Sequence, residues 1–158
     1  MPLADDGKPY PFAQSRFHKT QAQMAPNGRW LAYTSYESGK DEVYVDTFPT
    51  PSGRRQVSLS GGVMPRWRRD GAELFYLGGD QTLMAVPVNV DRAGGVFEMG
   101  RPAPLFRPKI VPQGSQSIWF DTMYDVTADG ERFLINGPSE DPAPPITIVL
   151  NWMGALGK

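Results

Sequence analysis

Ala25-Pro26-Asn27-Gly28-Arg29-Trp30-Leu31-Ala32-Tyr33 sets an Asn-Gly dipeptide between two apolar stretches, and the same scheme returns twice further along the chain. It returns as Arg68-Arg69-Asp70-Gly71-Ala72-Glu73-Leu74-Phe75-Tyr76 and as Thr127-Ala128-Asp129-Gly130-Glu131-Arg132-Phe133-Leu134-Ile135. Asn-Gly and Asp-Gly are strong short-range hairpin signals, because a type I′ turn needs positive φ at both central residues and these residue types tolerate it. The three stretches therefore predict three hairpins with type I′ turns.

Aligned on Gly28, Gly71 and Gly130, the units agree along both arms. Four residues before the glycine stand Met24, Trp67 and Val126; five before stand Gln23, Arg66 and Asp125. Three residues after it stand Leu31, Leu74 and Phe133, and five after stand Tyr33, Tyr76 and Ile135. A third apolar run follows each hairpin, at 42–46, 82–88 and 146–150. A fourth strand is expected at 54–59 in the first unit and at Arg101-Pro102-Ala103-Pro104-Leu105-Phe106 in the second, whereas the third unit stops at Asn151-Trp152 without one. The alternation of Pro seen at 101–106 also occurs at Lys8-Pro9-Tyr10-Pro11-Phe12-Ala13, and Pro confines both segments to sheet edges.

The three glycines lie 43 and 59 residues apart. The first spacing matches the roughly 40–45 residues of a four-stranded propeller blade, and the second is that period plus an insertion, which falls at 107–118. The expected fold is all-β: three four-stranded antiparallel blades forming half a propeller. The expected organisation is an outer strand within 1–19, blades at 20–60 and 61–107, an inserted loop at 108–118 and a third blade at 119–158. The Gly, Ser, Gln and Pro content of the insertion is that of an exposed loop suited to binding.

The wider composition agrees. A chain of 158 residues with 40% hydrophobic content and a net charge of -1 fits one globular domain, and 17 Gly with 16 Pro favour many short strands over long helices. The absence of Cys excludes disulfide and thiolate chemistry, and the near-neutral charge argues against a dedicated nucleic-acid binder. The first eight residues lack the pattern of a signal peptide and no apolar run reaches membrane-spanning length, so membrane insertion is not expected. A domain cut from a longer secreted or membrane-anchored parent reads the same way, which leaves the compartment open.

The Pro26-Asn27-Gly28-Arg29-Trp30-Leu31-Ala32-Tyr33-Thr34-Ser35 stretch, followed by Asp41-Glu42-Val43-Tyr44-Val45, resembles the repeat of TolB-like β-propellers. Pro65-Arg66-Trp67-Arg68-Arg69-Asp70-Gly71, Glu73-Leu74-Phe75-Tyr76 and the segment from Ile146 to Trp152 further resemble the last blades of propellers appended to bacterial serine/threonine kinases. The resemblance covers nearly the whole chain. It implies the propeller fold and often an extracytoplasmic parent, and it leaves function open because propellers serve many unrelated roles. Asn27 stands where the family usually has Asp, and Thr127-Ala128 stands in place of Ser-Pro. The family closes with six or more blades, against about three here, and no kinase motif is present.

A stack that short is expected to expose two apolar end faces and an unpaired strand edge, and so to associate. The outer strand at Lys8, Tyr10 and Phe12 of one protomer would pair with the edge at Ile146, Ile148 and Leu150 of another, completing the third blade by strand addition. The expected assembly is a homodimer closing six blades, or a homotrimer closing nine. The alternative is a fragment of a larger sensor propeller.

Chemistry is sparse in the sequence. His18 is the single histidine, and no Gly-x-Ser-x-Gly elbow accompanies it; Gly114-Ser115-Gln116-Ser117 does not match one. Asp5-Asp6, Asp41-Glu42 and Glu140-Asp141 read as solvated loop pairs rather than metal ligands, and no cofactor or phosphate-binding motif is found. Strand alternation puts Trp67 and Arg69 on one face and Arg66 and Arg68 on the other. Gln23, Arg66, Arg68 and Asp125 are thereby candidate channel-lining residues, with ion pairing between blades favoured over binding of a small anionic or polar ligand. Trp119 and Phe120, beside the insertion, are candidate anchors for a protein partner. The expected function is a non-catalytic binding module, with a hydrolase site at the channel or protomer joint as the alternative.

Overall fold

Each repeat opens with the antiparallel hairpin expected of it, and three sheets follow one another in chain order. The computed structural model describes residues 11–90, 96–110 and 122–137, and among these every regular element is a strand. The first sheet comprises β1 (Lys19–Met24), β2 (Trp30–Ser35), β3 (Glu42–Thr47) and β4 (Arg55–Gln56), hydrogen-bonded in that order. The second has β5 (Gly62–Trp67), β6 (Glu73–Gly78) and β7 (Leu83–Val90), with β8 (Phe97–Met99) and β9 (Ala103–Phe106) sharing β7 as partner. The third is described for β10 (Tyr124–Val126) and β11 (Phe133–Ile135). Registers coincide across the repeats: Met24 pairs with Leu31, Trp67 with Leu74 and Val126 with Phe133.

The Pro-alternating segment of the second repeat forms β9 as expected, while β8 adds a fifth strand that was not anticipated. The first repeat's outer strand pairs over only two residues of the expected 54–59. Beyond Gln56 the Val57 N–H still donates to the Val43 carbonyl at 2.8 Å, while the Val43 N–H donates to the Ser58 hydroxyl at 2.8 Å, so a side chain takes one of the two places in that ladder. Pro11–Ala13 belong to no strand, and Phe12 packs against Phe48 of the same chain with ring centroids 5.8 Å apart. The strand expected at Lys8–Ala13 is thus absent from its described part. Lys8 and Tyr10, with Ile146, Ile148 and Leu150, lie outside the described residues.

The turns correct one expectation. Only the glycines adopt positive φ, at +70° for Gly28, +77° for Gly71 and +78° for Gly130; Asn27, Asp70 and Asp129 do not. Type I′ geometry is therefore replaced by four-residue loops, each closed by the glycine N–H donating to the carbonyl three residues back, at 2.9 Å in all three. The Asn or Asp serves differently: its Oδ1 accepts the backbone N–H two residues on, at 3.0 Å for Asn27, 2.9 Å for Asp70 and 3.1 Å for Asp129. This Asx geometry explains why either residue fits before the glycine.

Side-chain alternation decides the packing. Leu74, Tyr76, Val86 and Val88 of the second sheet meet Trp30, Ala32, Val43 and Val45 of the first in one core. Phe75, Leu77, Leu83 and Ala85, on the opposite face of that sheet, meet Met123 and Tyr124 with Val126, Phe133 and Ile135 in a second core. The middle sheet is buried on both faces, as a blade between two neighbours must be.

The two end faces differ from the apolar surfaces expected. Register pairs Lys19 with Ser35, Tyr33 with Tyr44 and Leu31 with Asp46, which puts a largely polar set on the side of the first sheet away from the second. At the other end the paired Asp125 and Leu134 point outward, with Leu134 76% exposed. Among the described residues, the end faces thus carry hydroxyls, carboxylates and the Lys19 ammonium beside two leucines, Leu31 and Leu134, rather than a wholly aliphatic surface.

Gly28 and Gly130 separate backbone strain from collision. A Cβ at Gly28 meets nothing within 4 Å, whereas one at Gly130 lies 2.7 Å from Arg68 Cδ. Gly28→Ala is expected to cost about 1–2 kcal/mol for the left-handed backbone alone. Gly130→Ala is expected to cost measurably more, because Arg68 is anchored; urea denaturation of the two variants checks the order.

Candidate functional site

The innermost strands β1, β5 and β10 bring the predicted inner-edge residues to neighbouring positions, and the geometry there begins with two bulges. β1 and β5 each slip register, between Thr20 and Gln23 and between Val63 and Arg66. The slips centre on Gln21 and Met64, which take φ of +56° and +57° and correspond across the 43-residue repeat. A bulge frees backbone groups from the ladder, and here they are used between sheets. Gln21 Oε1 accepts the Met64 N–H at 2.9 Å, and the buried Tyr124 hydroxyl donates to the Met64 carbonyl at 2.7 Å. Met64 is thereby held from both sides, by the first sheet through its N–H and by the third through its carbonyl.

Arg66 follows on β5 and turns toward the third sheet. Its guanidinium lies 5.9 Å from the centroid of the Tyr124 ring, with Nε 3.8 Å from Asp125 Oδ1. Nη1 donates to the Pro65 carbonyl at 2.9 Å and Nη2 to Thr122 Oγ1 at 3.4 Å. The Arg66 side chain is 13% exposed while that of Asp125 is 64% exposed. Each nitrogen of Arg66 therefore meets a protein oxygen, which is the arrangement of an ion pair joining two sheets. Burial raises the Tyr124 hydroxyl above the ordinary tyrosine range, with Arg66 opposing and Asp125 reinforcing the shift, so it remains a neutral donor.

Gln23 is brought near by its main chain: its carbonyl accepts the Trp67 Nε1–H at 3.1 Å. Arg68 is not brought to the inner edge. It follows the end of β5 and forks onto its own hairpin, with Nε to Asp70 Oδ1 at 2.7 Å, Nη2 to Asp70 Oδ2 at 2.8 Å and Nη1 to Glu73 Oε2 at 2.6 Å. Its stem lies beside the Gly130 turn, which gives it a bracing position between the second and third hairpins. The Arg68 bond and the Ala72 N–H hold the Asp70 carboxyl down at about 2.

No protein-family model matches the chain, and no curated protein matches it.

His18, the single histidine, has Nε2 3.5 Å from Asp41 Oδ1 and stacks on Tyr36 at 5.6 Å between centroids. Among the described residues no group of three or more His, Cys, Asp or Glu side chains is placed to hold a metal ion, and no helix is long and apolar enough to cross a membrane. Trp119 and Phe120 lie outside the described residues. Sequence reasoning passed over Gln21, Met64 and Tyr124, the residues that join the three innermost strands. The equivalence of Gln21 and Met64 was present in the repeat spacing, but a positive φ at Gln and Met has no residue signature.

Tyr124→Phe is expected to destabilise by about 1–2 kcal/mol, because it leaves the Met64 carbonyl buried without its donor; urea denaturation measures the loss. Asp70, with a folded pKa of about 2 against ~3.9 unfolded, contributes stability that is complete above the unfolded value and lost as pH falls toward the folded one. Arg68→Ala is expected to raise the Asp70 pKa part of the way to ~3.9, with the Ala72 N–H retaining the remainder, as carboxyl-detected NMR titration would show.

Proposed function

We propose that the chain is a non-catalytic interaction module, a TolB-like β-propeller segment that works by associating with further copies of itself and with a protein or small polar partner. The observation that carries this reading is the middle sheet, buried on both faces between its neighbours, with Arg66 and Asp125 meeting across the second and third innermost strands. Three sheets related by a recurring hairpin register, stacked face to face through cores, are what successive blades of a propeller require.

In such a module the inner edge is structural before it is receptive. Arg66 is committed to Pro65, Thr122 and Asp125, so a partner at the inner mouth would meet the exposed Asp125 and the loops around it. The end faces would do the associating. The partly exposed Lys19 on one, and the exposed Asp125 with Leu134 on the other, offer opposite charges that suit a specific joint over an indiscriminate apolar one.

Two protomers completing six blades is the simplest closure, with three completing nine as the next. Light scattering on the purified chain is expected to give a multiple of the 17.5 kDa protomer mass. A stable monomer with a cooperative melt would end the ring proposal. Leu134→Lys, on the exposed side of β11, is expected to shift the distribution toward monomer while leaving the melt cooperative.

A further inference from the structure

The outer face of the first sheet holds a cavity of about 370 Å³, lined by Lys19, Tyr33, Asp46 and Arg54 beneath Ser15 and Ser52. β1 and β2 bring Lys19 and Tyr33 to the same face, and β3 adds Asp46 from the next strand. The connection after β3 turns back over the sheet and supplies Ser52 and Arg54. These four groups are not equally satisfied by the protein. Asp46 Oδ1 accepts three backbone N–H groups, from Thr47 at 2.8 Å, Ser52 at 3.1 Å and Gly53 at 3.0 Å. Its Oδ2 has no such bond among the described residues.

Tyr33 is the independent sign that something is missing. Only 2% of the residue is exposed, and its hydroxyl has no hydrogen-bond partner among the described residues. A buried hydroxyl left unpaired forfeits its hydration with nothing in return, so the site carries an unmet donor. Burial, followed by the charges of Asp46 and Glu37, raises this hydroxyl above the ordinary tyrosine range and keeps it protonated. Lys19 donates its ammonium to Ser15 Oγ and meets no carboxylate among the described residues. Arg54 commits Nη1 to Glu37 Oε2 at 2.7 Å, and its other nitrogens have no hydrogen bond among the described residues.

We propose that this cavity binds a small zwitterion of the α-amino-acid class, with the ligand carboxylate toward Lys19, Arg54 and the Tyr33 hydroxyl and its ammonium toward Asp46 Oδ2. Charge selects this class. A simple anion would satisfy Lys19 and Arg54 but face the Asp46 carboxylate, and a simple cation would do the reverse. A molecule carrying both charges answers both walls, and the cavity has room for one with a modest side chain. The donor set is distinct from the inner-edge cluster of Arg66 and Asp125, but it lies on the end face assigned above to association; calorimetry reads ligand binding and light scattering reads protomer association, so failure of one proposal is told apart from failure of the other.

Calorimetric titration of the full chain with a panel of free L-amino acids tests the proposal, with N-acetyl and carboxamide derivatives, inorganic phosphate and glucose run in parallel. At least one free amino acid is expected to bind with Kd below ~1 mM, and blocking either its amine or its carboxylate is expected to weaken binding about tenfold or more. Tyr33→Phe removes only the unpaired hydroxyl, so its melting temperature should hold while affinity falls; Lys19→Met provides a second, partly exposed variant with the same expected loss. Absence of binding by every amino acid at ~10 mM would overturn the assignment, since that is below about 3 kcal/mol of affinity. So would binding confined to phosphate or glucose, or amino-acid binding indifferent to both substitutions.

Discussion

Burial of the middle sheet on both faces is the constraint on which the rest of the structure depends. Successive residues of β6 point to opposite sides, so Leu74 and Tyr76 enter one core while Phe75 and Leu77 enter the other. Each large apolar side chain so buried contributes about 1.5–3 kcal/mol. A sheet with that pattern has no solvent side, and it obliges the repeats before and after it to stack against it. The aromatic groups follow suit: Trp30 and Trp67 both approach Phe97, and Phe75 meets Phe133 edge-on.

Apolar stacking alone leaves the sheets free to slide, and polar contacts fix their positions. The bulge at Met64 withdraws its N–H and carbonyl from the ladder, and these bond across to the neighbouring sheets, the N–H to the side-chain Oε1 of the bulged Gln21 and the carbonyl to the Tyr124 hydroxyl. Positive φ is a strained choice for Gln and Met, offset by two inter-sheet hydrogen bonds to a single residue. Glu42 performs a related task at the connection between the first two sheets. Fully buried, its carboxylate accepts the Gly61 N–H at 3.0 Å, bonds Ser58 Oγ and lies 3.3 Å from Lys40 Nζ. A buried charge is tolerable there because every approach to it is a donor.

The first sheet has two unlike faces, and the contrast bears on function. Its inner face contributes Ala32, Val43 and Val45 to a dry core. Its outer face collects Lys19, Tyr33, Ser35, Tyr44 and Asp46, including the Tyr33 and Ser35 hydroxyls, which have no partners among the described residues. A face so furnished is adapted to polar contacts, with ligand or with another chain, and it accounts for the cavity beneath Ser15 and Ser52.

By itself the sequence determined the three hairpins, their common register and the all-β class, because turn glycines and period-two alternation are local properties written residue by residue. It also placed Arg66 beside Asp125, since equivalent positions in adjacent repeats must be neighbours once the repeats stack. It misjudged Arg68, whose alternation argument fails once β5 has ended and the side chain is free to reach Asp70 and Glu73. It missed the turn geometry as well, because Asn-Gly and Asp-Gly suit more than one loop, and the choice rests on dihedrals that both can adopt. Only the tertiary structure decided the Met64 clasp, the polar end faces and the unpaired Tyr33 hydroxyl. Each depends on atoms from strands distant in sequence meeting at hydrogen-bond range, and neither spacing nor composition encodes that distance.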